Sequence, residues 1–185
     1  MTGKRQAGNT QRRWAAMLRG VNVGGRHRVP MAELRELAAG LGHADVATHL
    51  NSGNLLLTSD RGEDELAREL EAALADRFGF DVDVVVRSGQ ELAEAVAANP
   101  FPEGDPKQVQ VVFLSGRVVP GAAARVAELA TAAERFQLAP RHAYIDFAGG
   151  LARSRLAAAL DRALGVPATS RNVRTVAALA EKAGS

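Results

Sequence analysis

The chain has 185 residues, 46% hydrophobic and 24% charged, enough to bury a real core in one compact domain or two small ones. With no cysteine it has no disulfide framework, no thiol nucleophile and no thiolate metal site. No apolar run approaches the roughly 18 residues of a membrane span. The start MTGKRQAGNTQRRW is basic with no apolar segment behind it, so a cytoplasmic protein without membrane association is expected.

The net charge of +2 conceals an uneven distribution: the first 35 residues hold eight lysines and arginines against Glu33 alone. Such an end can attract phosphates or nucleic acid, although basic termini are also common solubility tails. Residues 1–13 are expected to be a flexible basic tail, with 1–12 mobile when free.

In chain order, WAAMLRGVNV reads as a strand, followed by a helix that opens at Pro30, runs through MAELRELAAGLG and closes at glycine. DVATHLNSGNLLLTS reads as two extended runs around a turn. GEDELARELEAALADRFG is a long amphipathic helix and DVDVVVR a strand. The order βαββαβ predicts a ferredoxin-like α+β unit, an antiparallel sheet with both helices on one face, which with the helix GQELAEAVAANP spans residues 14–99. Pro and Gly mark 100–107 as a linker. In residues 108–185 the order returns: strand VQVVFLSG, helix GAAARVAELATA, strands ERFQL and HAYIDF, and helix SRLAAALDRALG. The closing TSRNVRTVAALAEKA reads as a turn and an extra helix, so this second ferredoxin-like half is expected to lack its last strand.

Three segments, LRGVNVGGRHRVPMAELREL, HLNSGNLLLTS and TSRNVRTVAALAEKA, resemble the signature segments of the DUF1697 family of small bacterial proteins. The resemblance runs from Trp14 to Ala183 and implies a two-part α+β fold with related ferredoxin-like halves. It implies no reaction and no catalytic residue. Similar sequences usually carry an aromatic residue after the RN pair, where this chain has Val173.

Gly20 to Arg26 has the glycine spacing of a phosphate loop, but His27 stands where a magnesium-binding hydroxyl belongs, and the helix starts only at Pro30. An ATPase or GTPase is thereby excluded, and no dinucleotide fingerprint occurs. What remains is a glycine turn with Gly24 and Gly25 that displays Arg19 and Asn22, read equally as an anion cradle or a structural turn. In NSGN, Asn51, Ser52 and Asn54 could form the polar lip of a pocket, or simply meet the needs of a tight turn.

Helix starts carry partial positive charge and normally attract acids, yet Arg26 and Arg28, Arg153 and Arg155 around the expected N-cap Ser154, and Arg171 and Arg174 around Asn172 all border helix starts. If these arginines await an anion, Arg153→Ala and Arg171→Ala should leave stability unchanged or raise it by roughly 0.3–1 kcal/mol each. The alternative is an arginine-rich composition that points these side chains elsewhere.

Asp81 and Asp83 share one side of a strand, but strand-edge placement explains them more simply than acid–base work. Nothing in the sequence argues for a triad at Ser52 or Ser154, His49 reads as a strand residue, and the sheet lacks the aromatics of a base-stacking surface. The four histidines have no ligand-like spacing, so neither a metal nor a cofactor is expected. The favoured function is binding of a phosphate-bearing small molecule. Nucleic-acid binding through the basic N-terminal region, and an enzyme of unknown reaction in the same cleft, are the alternatives.

Overall fold

The computed structural model describes residues 11–184. The expected mobile tail therefore lies almost wholly outside the described residues, and its last two members, Arg12 and Arg13, begin the first strand. The first half comprises β1 (Arg12–Leu18), α1 (Met31–Gly40), β2 (Ala44–His49), β3 (Asn54–Ser59), α2 (Glu63–Phe78), β4 (Val84–Ser88) and α3 (Gly89–Ala97). The second comprises β5 (Val109–Leu114), α4 (Ala122–Leu129), β6 (Glu134–Leu138), β7 (His142–Phe147), α5 (Arg155–Ala158), α6 (Leu160–Leu164), β8 (Ala168–Asn172) and α7 (Val173–Gly184).

Each half folds as a four-stranded antiparallel sheet, with order β2-β3-β1-β4 in one and β6-β7-β5-β8 in the other. Strand alternation assigns the layers. Trp14, Ala16 and Leu18 of β1 face Leu34 of α1 and Leu66, Leu70 and Leu74 of α2. Ala15 and Met17 face the other way, onto Leu92 of α3 and Val176 and Leu179 of α7, and these helices also meet Val111, Phe113 and Tyr144 of the second sheet. The outer face of that sheet, with Val112, Leu114, Ile145 and Phe147, packs on Val126 of α4 and Leu156 and Leu164 of α5 and α6. The result is five layers, α/β/α/β/α, in which both central strands are buried on both faces.

The middle layer is built from the two helices that follow the last strand of each half. Both are capped at the strand end: Ser88 accepts from the N–H of Glu91, and Asn172 Oδ1 accepts from the N–H of Thr175. The helices approach closely at Gly89, where a Cβ would lie 2.6 Å from the carbonyl carbon of Ala183.

Three expectations need correction. The second half does have its fourth strand: Ala168–Asn172 pairs along β5 from Gln110 to Leu114. ATSRN hides this because its inward residues Thr169 and Arg171 are polar, so no apolar alternation marks the strand. The first strand ends at Leu18, because Gly20, Asn22, Gly24 and Gly25 all take positive φ and turn the chain. Finally, SRLAAALDRALG is not one helix, for Ala159 (φ −120°, ψ 19°) separates α5 from α6.

Candidate functional site

The glycine loop, the NSGN turn and the SRN strand end meet where the two halves join. Asn22 (φ 57°) holds the loop closed: its Nδ2 donates to the carbonyls of Val29 at 2.9 Å and Asn51 at 2.7 Å, and its Oδ1 accepts from the N–H of Val29 at 2.9 Å. The N–H of Leu18 donates to the carbonyl of Gly53 at 2.8 Å, tying the strand end to the turn. Asn54, fully buried, donates through Nδ2 to the carbonyl of His49 at 2.9 Å and to Ser52 Oγ at 3.0 Å.

Arg171 reaches into this assembly from the other half and is only 8% exposed. Its Nε donates to Asn54 Oδ1 at 2.6 Å, and Nη1 to Thr169 Oγ1 and the carbonyl of Ser170, both at 2.8 Å. Nη2 donates to the carbonyls of Leu18 at 2.8 Å and Ser52 at 2.9 Å. All five guanidinium hydrogens thus have acceptors, but no carboxylate pairs with this cation among the described residues. Burial pulls its pKa down to about 10, which leaves it charged at neutral pH.

Beside Arg171 lies a cleft of about 630 Å³ between the halves, lined by Leu18 to Val21, Val23, Ser52, the α5–α6 segment Ala157 to Arg162, and Ala168 to Arg171. Arg19 crosses it, donating to Asp83 at 2.7 Å and to Asp161 of α6. Burial opposes the Arg19 charge, but these two carboxylates outweigh it and raise the pKa. Around the cleft, the guanidiniums of Arg19, Arg162 and Arg171 outnumber the carboxylates of Asp83 and Asp161. Val23, 68% exposed at the loop tip, forms an apolar rim.

Of the sequence candidates, Arg19, Ser52 and Arg171 line the cleft. Asn22, Asn51 and Asn54 support it from behind through the bonds above. Gly24 and Gly25 sit on the exposed loop, and a Cβ at either would meet nothing within 4 Å. Arg153 is exposed and outside the lining, Ser154 caps α5 by accepting from Ala157 N–H at 3.0 Å, and Asn172 caps α7. Asp161, Arg162 and Thr169 were not anticipated. The helical segment of Asp161 and Arg162 was legible and the strand of Thr169 was not, and which helix turn faces which strand is a tertiary fact.

A second polar cluster, also missed, joins the halves elsewhere. Buried Arg87 at the end of β4 donates to Glu63 at 2.7 Å and to the carbonyls of Val86 at 2.7 Å, Leu114 at 2.8 Å and Arg141 at 3.3 Å. Arg141 in turn holds Glu63 and, at 2.7 Å, Glu91. An arginine closing the apolar run VVVRS, as Arg171 closes ATSR, was the available signal. Next to it Tyr144 donates to the carbonyl of Ala95 at 2.7 Å, so His142 Nε2, 3.0 Å from the phenol oxygen, must be the donor of that pair.

Burial lowers the His142 pKa, helped by the charges of Arg87 and Arg141. A histidine depressed in the folded state contributes stability that is complete above the unfolded value of about 6.5 and lost as pH falls through the folded pKa. Stability should therefore decline on acidification from pH ~7 toward ~5, and His142→Gln, which keeps a donor for the phenol, should show a shallower decline in denaturant titrations. An unchanged slope would assign the effect elsewhere; His49, also lowered by burial and then by Lys182, is the next candidate.

The comparisons bear on identity at this point. Residues 12–144 match the family model DUF1697, described as a protein of unknown function. The chain belongs to the DUF1697 family. Its fold is also that of a conserved bacterial protein, SP0830 from Streptococcus pneumoniae, with a TM-score of 0.72 over 93% of this chain and 98% of that one at 24% identity. No curated protein matches the chain. No helix among the described residues is long and apolar enough to cross a membrane, and no three of their His, Asp and Glu side chains gather as metal ligands.

Proposed function

We propose that this DUF1697 protein binds an anionic, phosphate-bearing small molecule in the cleft between its halves. The observation that carries the reading is Arg171: a buried guanidinium, charged at neutral pH, that borders the cleft with no carboxylate paired to it among the described residues. A buried cation without a counter-charge is costly, and a ligand anion in the adjoining cleft would offset that cost in a medium where charges interact more strongly than in water. Direct contacts would come from Arg162, from Arg19 and from the hydroxyls of Thr169 and Ser170, because the Arg171 hydrogens are all engaged. Leu18, Val21 and Val23 offer apolar surface to the rest of the molecule.

Thermal unfolding in the presence of AMP, ribose 5-phosphate and inorganic phosphate, each against adenosine, ribose or chloride at matched ionic strength, tests this. At a hundred times its Kd a ligand of the folded form contributes about 2.7 kcal/mol, so Tm should rise by roughly 5–10 °C for a chain of this size. Arg162→Ala, at an exposed residue, should shrink the rise without changing the Tm of the free protein. Equal responses to phosphorylated and dephosphorylated compounds would refute the reading.

A further inference from the structure

The cleft between the halves has a counterpart built by the duplication. Val84 begins β4 opposite Leu18 as Ala168 begins β8 opposite Leu114, and the N–H of each is held by a carboxylate of the preceding helix, Glu71 at 2.9 Å and Asp161 at 3.2 Å. α2 therefore stands to β4 as α6 stands to β8. Four carboxylates of α2, Glu63, Asp64, Glu65 and Glu71, line the counterpart groove together with four arginines, Arg68, Arg87, Arg117 and Arg141. Its charges balance, and Glu63 alone holds both Arg87 and Arg141. The first cleft is lined by Arg19, Arg162 and Arg171 against Asp161 only. A uniformly arginine-rich composition would load both grooves alike, so the cationic excess belongs to this one.

The excess continues onto the two walls. One wall is the glycine loop, an exposed hairpin finger: the N–H of Asn22 donates to the carbonyl of His27 at 3.1 Å, that of Arg26 to Val23 at 3.3 Å, and Gly24 and Gly25 make the tight turn with φ 61° and 75°. The ring of His27 stacks on Phe80 with centroids 4.7 Å apart, fixing the finger to its own half. None of these contacts uses the guanidiniums of Arg26 and Arg28. The other wall, leading into α5 and α6, carries Arg153 and Arg155. All four side chains are exposed, and among the described residues none has a hydrogen-bond or ion-pair partner. Residues 20–29 and 148–160 contain no Asp or Glu, and the Asp161 carboxylate is held by Arg19 and the Ala168 N–H. A cleft of about 630 Å³ holds one nucleotide, whose phosphate would reach Arg19 and Arg162 and leave unpaired cations on both sides. We infer that the cleft takes one nucleotide of a single-stranded nucleic acid, whose neighbouring phosphates lie on Arg26 and Arg28 to one side and on Arg153 and Arg155 to the other. A duplex offers no unpaired nucleotide to enter the cleft. With His27 engaged by Phe80, neither wall presents a free aromatic ring for stacking, so the backbone is recognised and the sequence is not. This rests on the anion reading above and names the molecule that carries the phosphate.

Fluorescence anisotropy of a labelled single-stranded oligouridylate, titrated with the full chain at several salt concentrations, tests this. Neutralising about four phosphates of a single strand gives a slope of log affinity against log salt near −3. Arg26→Ala with Arg28→Ala, and separately Arg153→Ala with Arg155→Ala, should each bring the slope to about −1.5. Both should keep the rise in Tm produced by AMP, because these residues lie outside the head-group contacts. Arg117→Ala, in the counterpart groove, should leave the slope unchanged, and Arg162→Ala should weaken the strand and AMP together. All the substituted residues are exposed, so urea midpoints equal to the parent's verify that the variants are folded. An oligouridylate bound no more tightly than AMP, or a slope near −1, would overturn the inference and leave the anion reading intact. No response to either molecule would overturn both. A slope unchanged in both double variants would assign the strand to the basic N-terminal end, which every variant retains, and would overturn the inference. So would equal competition by duplex RNA or by polyglutamate, which would reduce the binding to charge on an open face.

Discussion

Arg171→Ala should destabilise the protein by about 3–5 kcal/mol in urea denaturation followed by circular dichroism. Truncation leaves five acceptors without this donor: the carbonyls of Leu18, Ser52 and Ser170, Asn54 Oδ1 and Thr169 Oγ1. Buried acceptors stranded in this way cost roughly 1–3 kcal/mol each, and hydrogen bonds from a charged donor are among the stronger ones. Relief of the desolvation that depresses the arginine's pKa works the other way and keeps the net effect below the simple sum. Arg171→Lys should recover little, because one ammonium with three donors cannot span acceptors on β1, the turn before β3 and β8 together. A satisfied, cross-half arginine thus reverses the sign expected from its position beside a helix start. The exposed Arg153→Ala serves as the control and should stay within about 0.5 kcal/mol of the parent. An Arg171→Ala protein as stable as its parent would restore the helix-start reading.

Gly53→Ala should cost about 2–5 kcal/mol, from two independent sources. The residue has φ +74°, a conformation that costs a residue with a Cβ roughly 1–2 kcal/mol. The added methyl would also lie 2.5 Å from Val21 Cγ2 and 2.8 Å from Leu18 Cβ. Neither neighbour can retreat easily. Leu18 is fixed in β1 with its N–H on the Gly53 carbonyl, and Val21 is buried under the glycine loop. Overpacking of this kind adds about 1–3 kcal/mol. Gly24→Ala isolates the conformational part, since Gly24 has φ +61° and open space around it, and it should cost only about 1–2 kcal/mol. Equal midpoints for the two variants would show that the contact under Gly53 relaxes freely. Because Gly53 abuts Leu18 and Val21 at the edge of the cleft, its replacement should weaken ligand binding as well as folding.

Much of the architecture could be read directly from the residues. Apolar spacing of 3.6 marks α2 through Leu66, Leu70 and Leu74, and the apolar run VQVVFL marks β5, because those patterns record which faces are buried. The return of the same element order identifies two related halves, and LRGVN, NSGN and SRN stand out by their glycine, asparagine and arginine content. Local pattern could not reveal β8, whose inward residues Thr169 and Arg171 are buried by virtue of hydrogen bonds rather than hydrophobicity. Nor could it assign partners. Asn22 bonds Asn51, Arg171 bonds Asn54 and Leu18, and Arg19 meets Asp161, pairs separated by between 29 and 153 residues along the chain. The sequence by itself determined most of the elements and, through their repeated order, the duplication, since apolar periodicity and turn residues act over a few positions. Only the tertiary structure decided that, among the described residues, Arg171 has no carboxylate partner where Arg87 has Glu63, because Glu63 reaches Arg87 across 24 residues of chain through the packing of α2 on β4.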